Sequence, residues 1–183
     1  MTRIYMVRHG RAAAGFGESM DPGLDELGQS QAKDVSVRLQ PLGPMDIVSS
    51  PLARARQTAA PLASLWKRTP AIEPAIAEIP SPTENLQERV VWLRTFMAGS
   101  WREATPVLAT WRESAIAALI ERREDTVVFS HYVAINVATG AALSDDRVVV
   151  FSPDNCSVTI FEIDGGTLRL IEKGHEAPLT KVN

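Results

Sequence analysis

Short apolar runs alternate along this chain with longer stretches in which apolar residues recur every three or four positions. Arg3-Ile4-Tyr5-Met6-Val7 opens it as a strand over residues 3 to 7. Asp25 is placed to cap a helix whose inner face reads Gly28, Ala32, Val35 and Leu39. Gly43-Pro44 punctuates, and Asp46-Ile47-Val48 forms a short second strand. Ser50 as N-cap and Pro51 as first helical residue then start a helix. Leu52, Ala55, Ala59, Leu62 and Trp66 lie on one side of it, and Pro61 should kink or shorten it.

Ala71-Ile72 is a weak strand, and Pro80-Ser81-Pro82 is a stiff break. Leu86, Val90, Leu93 and Met97 sit at helical spacing. Thr105-Pro106 begins another helix, with Leu108, Trp111, Ala115 and Leu119 inward. Thr126 to Phe129 reads as a buried strand ending in Ser130-His131, followed by a helix from about Val133 to Leu143. Arg147 to Phe151 reads as a further strand. Cys156 to Ile163 and Leu168 to Glu172 form a hairpin around Asp164-Gly165-Gly166. This alternation predicts a three-layer α/β/α sandwich around a mostly parallel sheet, and the terminal hairpin adds an antiparallel edge strand. The chain reads as one domain over residues 1–183, with a helical insertion or lid at about residues 80–123.

Composition narrows the picture. A chain of 183 residues can bury one sizeable core, and 45% apolar with 22% charged residues is ordinary for a globular protein. A net charge of −3 offers no basic surface for nucleic acid. No apolar stretch reaches transmembrane length, so no membrane partner is expected. A single cysteine, Cys156, excludes an internal disulfide and fits a reducing compartment, and the N-terminus runs straight into a strand without a signal-peptide core. A cytoplasmic protein is expected. With three histidines and one cysteine, a zinc site built from those ligands is not expected.

The candidate chemistry gathers at strand ends. Arg8-His9-Gly10 closes the first strand, where open α/β sheets place their sites. Histidine can act as nucleophile, acid or ligand near neutral pH, arginine presents a planar fork suited to phosphate, and glycine permits close approach. Arg54 falls in the first turn of the helix after the second strand, where helix N-termini favour anions, and His131 follows the buried strand. Two arginines and two histidines converging on one sheet edge would form a pocket for a tetrahedral oxyanion.

Arg8-His9-Gly10, the stretch from Ser49 to Ala59 that reads SSPLARARQTA, and Ser130-His131 together resemble the histidine phosphatase superfamily, with its phosphoglycerate-mutase-like fold. Asp21-Pro22-Gly23-Leu24, Gly28 and Gln31-Ala32 look like that family's first loop and helix, so the likeness covers nearly the whole chain. It implies that His9 attacks phosphorus and carries a phosphohistidine. Arg8, Arg54 and His131 would hold the phosphoryl oxygens, and a glutamate would protonate the leaving oxygen and then activate water. Glu78 stands at the matching place, with Glu84 as competitor. No metal or other cofactor is implied, because the arginines supply the positive charge.

Three departures from the family pattern stand out. Pro80-Ser81-Pro82 follows the acid instead of a glycine-containing stretch, Gly15 replaces an asparagine that often contacts phosphate, and Tyr132 replaces a glycine after the second histidine. Arg11, Tyr132 and Glu84 are candidate substrate contacts. Trp92, Trp101 and Trp111 either pack two inserted helices or form an aromatic wall over the substrate. The expected partner is a phosphorylated small molecule and the expected activity a phosphomonoesterase. A phosphohistidine protein phosphatase and a non-catalytic phosphoanion-binding module are the alternatives, and a mutase of the same fold would call for a longer chain.

Overall fold

The computed structural model describes residues 1–178. Among them the chain runs through β1 (Thr2–Arg8), α1 (Glu26–Leu39), β2 (Asp46–Ser49), α2 (Ala53–Trp66) and β3 (Ala71–Ile72). It continues with α3 (Leu86–Met97), α4 (Pro106–Ile120), β4 (Thr126–Ser130), α5 (Tyr132–Leu143), β5 (Val158–Asp164) and β6 (Thr167–Glu172). The strands form one sheet in the order β3-β2-β4-β1-β5-β6. β1 to β4 run parallel, and the terminal hairpin, β5 and β6, adds the antiparallel edge. Among the described residues no helix is long and apolar enough to cross a membrane.

Side chains alternating along the central strands divide the core between the two faces. Tyr5, Val7, Ile47, Val127 and Phe129 pack against Val35 and Leu39 of α1 and Ala59 and Leu62 of α2. Ile4, Met6, Val48 and Val128 face the other way, onto Leu119 of α4 and Ile135 and Ala138 of α5. Each such side chain, fully buried, contributes about 1.5–3 kcal/mol. β4 is buried at every position, as a central parallel strand should be. A third apolar cluster joins α3 and α4 to α5 through Trp101, Leu108, Val133 and Val137. Trp92, Phe96, Trp101 and Trp111 form a chain of ring contacts within it, with centroids 5.8, 5.4 and 6.1 Å apart.

Local signals mostly act where the sequence puts them. Asp25 caps α1 by accepting from the Gly28 N–H at 2.7 Å. Gly165 and Gly166, both at positive φ, make the tight turn between β5 and β6. Three expectations need correction. α2 begins at Ala53 with Leu52 at its N-cap, two residues later than Ser50 and Pro51 suggested. It also runs through Pro61 to Trp66, because burial of Leu62 and Trp66 outweighs one missing backbone bond. Arg147 to Phe151 is not a strand. The Val150 and Phe151 N–H groups donate to the Asn136 side-chain oxygen on α5, at 2.7 and 3.1 Å, and Val148 donates to the Gly99 carbonyl, so the segment's donors never reach the sheet.

Replacing Asn136 with Leu would leave two backbone donors without their acceptor in a mostly apolar setting. Asn136→Leu is expected to lower the unfolding free energy by about 2–4 kcal/mol, measured by urea denaturation. A loss below about 0.5 kcal/mol would show that the 147–151 segment holds its place without Asn136.

Candidate active site

Parallel register brings three strand ends level. Arg8 pairs with Ser130 across β1 and β4, and Ser49 pairs with Phe129 across β2 and β4, so His9, Ser50 and His131 leave the sheet side by side. The turn after β1 is held by backbone contact. A Cβ on Gly10 would lie 2.5 Å from the Gly28 carbonyl oxygen, and one on Gly28 would lie 2.1 Å from that of Arg11. Only glycine fits at both points, and α1 presses directly against the turn. The Gly10 N–H donates to Thr58 Oγ1, whose hydroxyl donates to the Arg54 carbonyl, tying the turn to the first helical turn of α2. From the far end of the chain, Asn155 Nδ2 donates to the His9 carbonyl at 2.9 Å and Cys156 N–H to the Arg8 carbonyl at 2.9 Å.

Arg8, His9, Arg54 and His131 are all buried. His9 Nδ1 lies 2.7 Å from the Gly10 carbonyl, which can only accept, so Nδ1 carries the proton. Its Nε2 keeps a lone pair, to which Arg54 Nε donates at 3.2 Å. Burial, and then the Arg8 and Arg54 guanidiniums, hold the His9 imidazole well below its ordinary pKa. His131 is depressed in the same way, by burial first and then by Arg54, His9 and Arg8. Its ring sits 5.2 Å from that of His9, and its Nε2 meets Ser50 Oγ at 2.7 Å. His131 Nδ1 is buried with no protein partner among the described residues. Arg8 is steadied by the Pro153 carbonyl, which accepts from Nη1 at 2.8 Å, and by the Tyr132 ring 5.2 Å away.

Glu78 joins this group from the chain after β3. The stretch before it is a 3-10 turn over Pro74–Ile76 and not a sheet-edge segment, with the Glu73 side chain accepting from the Ala75 N–H. The Glu78 carboxylate accepts from Ile79 N–H at 3.0 Å and from Val133 N–H, in the first turn of α5, at 3.2 Å. Burial of its carboxyl raises its pKa. The backbone donors and the Arg54 and Arg8 charges pull the other way without cancelling the rise.

Arg8, His9, Arg54 and Glu78 share the wall of one cavity of about 650 Å3, to which Arg11 and Tyr132 also contribute. His131, next to His9, is wholly buried and does not line the cavity. Arg11 is exposed and its Nε donates to Asp25 Oδ2. The Tyr132 hydroxyl is paired with Ser152 Oγ at 2.8 Å. Glu84, expected as a competing acid and substrate contact, is exposed and outside the cavity; Asn85 beside it caps α3. Trp92, Trp101 and Trp111 pack in the apolar cluster that α3 and α4 share with α5, and the cavity is walled instead by Val90, Leu93 and Met97 on α3. Cys156 is buried, its thiol pushed up to about 12 by desolvation.

Ser50, Thr58 and Asn155 are the contributors that sequence reasoning missed or gave another part. Ser50 was read as a cap. Its oxygen does accept from the Leu52 N–H, but its side chain also faces His131 across the ends of β2 and β4. No local signal marks Asn155, which acts on His9 from 146 residues away.

A sequence profile of the histidine phosphatase superfamily (branch 1) matches residues 4–175. Among solved structures, the phosphoserine phosphatase of Entamoeba histolytica in complex with 3-phosphoglyceric acid is similar with a TM-score of 0.75. The identity is 22%, over 96% of this chain and 98% of that one. The mycobacterial glucosyl-3-phosphoglycerate phosphatase in complex with VO3 is similar with a TM-score of 0.73 at 20% identity, over 97% and 100%. A probable phosphoglycerate mutase, GpmB of Erwinia tasmaniensis, is 31% identical over 108 residues, which is 57% of this chain and 49% of that protein. The chain spans about half or less of the length of the curated relatives it matches.

The Ser50–His131 contact has a testable consequence. In Ser50→Ala, His131 Nε2 loses its hydroxyl partner. We expect shifted His131 ring resonances in long-range 15N–1H NMR spectra and roughly tenfold weaker binding of inorganic phosphate, about 1.4 kcal/mol. Unchanged spectra and binding would remove Ser50 from the site.

Proposed function

The chain belongs to the histidine phosphatase superfamily (branch 1), and from that premise we propose that it is a phosphomonoesterase that hydrolyses a small phosphorylated metabolite through a phosphohistidine on His9. The observation that carries this reading is the state of His9. It is a neutral imidazole whose Nε2 lone pair faces a guanidinium in a cavity that also holds Glu78.

In the first step the Nε2 lone pair forms a bond to phosphorus as the bond from phosphorus to the ester oxygen breaks. Arg8 and Arg54 take up the charge on the equatorial oxygens, with the His131 ring next to that of His9. Glu78, whose pKa burial raises, acts in its protonated form: it gives its proton to the departing alkoxide, and the alcohol leaves. In the second step the Glu78 carboxylate takes a proton from water, the water oxygen bonds to phosphorus, and the bond from phosphorus to Nε2 breaks. Phosphate departs, with His9 neutral and Glu78 protonated as at the start.

A cavity of about 650 Å3, walled along one side by α3, supports a small-molecule substrate over a phosphohistidine on a protein surface. The intact, unprotonated nucleophile supports turnover over mere anion binding. The solved neighbours named as phosphatases of small phosphorylated compounds fit the same reading. The likeness to GpmB supports a mutase as the second reading, in which the phosphoryl group passes to another hydroxyl and not to water.

His9→Ala should remain folded yet show no turnover of p-nitrophenyl phosphate and form no acid-labile phosphoenzyme in 32P trapping. Normal turnover by the folded variant would falsify the assignment of the nucleophile. Release of inorganic phosphate, in place of an isomerised ester, separates hydrolase from mutase.

The pH dependence follows from the two shifts. His9 works as the free base, and its pKa is depressed, so the rate should persist well below pH 6.5, the ordinary histidine value. Glu78 works first as the acid, and its pKa is raised, so kcat on an alkyl phosphate should be full below that pKa and fall as pH rises through it. Glu78→Gln should remove the alkaline limb and slow alkyl phosphates by roughly 100-fold, while p-nitrophenyl phosphate, with its good leaving group, is slowed far less. An unchanged alkaline limb in Glu78→Gln would assign the proton to another group.

A further inference from the structure

The cavity is far larger than a phosphoryl group needs, and its outer part has a distinct chemistry. Two elements build it: the loop from Ala12 to Gly23 and the face of α3 that carries Val90, Leu93 and Met97. They touch directly. A Cβ on Gly17 would lie 2.6 Å from Val90 Cγ2, so the loop backbone rests on the helix. Arg89, buried on α3, lies 4.0 Å from the Phe16 ring centroid and donates to Met20 Sδ, which fastens the loop's two large apolar residues at the cavity.

The polar groups of the outer wall are mostly engaged with one another. Arg11 Nε donates to Asp25 Oδ2, and Asp25 Oδ1 accepts from the Gly28 N–H. Glu18 Oε2 accepts from the Gly15 N–H at 2.6 Å. Arg94 is exposed at the cavity's rim. A sugar or hydroxy-acid phosphate placed here would bring hydroxyls that lose water and find few free partners, a loss the wall does not offset. An apolar group would instead cover Phe16, Met20, Val90, Leu93 and Met97 and release the water against them.

Resting on the phosphomonoesterase reading above, we propose that this cavity selects phosphomonoesters with an apolar alcohol, alkyl or aryl phosphates, over phosphates of hydroxylated compounds. The phosphoryl group sits among Arg8, His9 and Arg54, and the carbon chain runs outward between the loop and α3.

The test uses two series on the whole protein. Ethyl, butyl and hexyl phosphate have leaving groups of nearly equal basicity, so kcat/KM among them reports contact with the alcohol. We expect at least a tenfold rise from ethyl to hexyl, against a ceiling of about fourfold for each fully buried methylene, and hexyl phosphate well ahead of glucose 6-phosphate. The matching alkylphosphonates, which cannot be hydrolysed, should bind more tightly with length by calorimetry. Leu93→Asn should flatten both gradients. Turnover of the esters with a flat or inverted gradient in both series would overturn the apolar selectivity and leave the hydrolase standing. A binding gradient with no turnover of any ester would overturn the hydrolase and keep the ligand class.

Discussion

Two guanidiniums and two imidazoles gathered away from water cannot all be positive. Arginine holds its proton far more strongly than histidine, so the conflict is resolved on the imidazoles. His9 and His131 are therefore free bases in the resting protein, before any substrate arrives. Much of the surrounding architecture serves this crowding. Tyr132 and the Pro153 carbonyl hold Arg8, Thr58 links Arg54 to the His9 turn, and Ser50 and Gly10 fix one nitrogen of each ring. Glu78 sits under the opposite pressure, where burial works against the attraction of the same arginines. One electrostatic arrangement thus shifts the nucleophile toward its free base and the carboxyl toward holding its proton.

What could be read from the sequence was local or periodic. Asp25 ahead of an apolar period of three and four became a capped helix, and two glycines between alternating runs became a hairpin. The ends of β1 and β4, with Arg8, His9 and His131, came from the same reading. What escaped it depends on contacts between distant parts of the chain. An apolar run such as Val148 to Phe151 suits a strand or a buried loop equally, and only Asn136 on α5 decides which. Ser50 has the chemistry of a helix cap, and only the register of β2 against β4 turns it toward His131. Glu84 and Glu78 differ by six positions, yet Pro80 to Pro82 lies between them and only one faces the cavity.

α3 shows how one helix can carry two unrelated duties. Trp92 and Phe96 bind it to Trp101 and the body of the insertion, while Val90, Leu93 and Met97 look onto the cavity. A pattern of apolar positions reports that both faces leave water, not what each covers. The aromatic face anchors and the aliphatic face stays open to a ligand, the reverse of the arrangement in which tryptophans wall a substrate.

The chain's single thiol lies under the strand end that carries His9, in a left-handed backbone conformation, its pKa pushed up to about 12. At neutral pH almost none of it is thiolate, and the side chain is closed off from reagents. Maleimides and iodoacetamides, which react with the thiolate, are therefore expected to modify Cys156 slowly. A cysteine introduced at an exposed position of α3, such as Val91, could be labelled alone, without first removing Cys156. A fluorophore there would report how the helix over the cavity responds when a ligand enters, in a molecule otherwise unaltered.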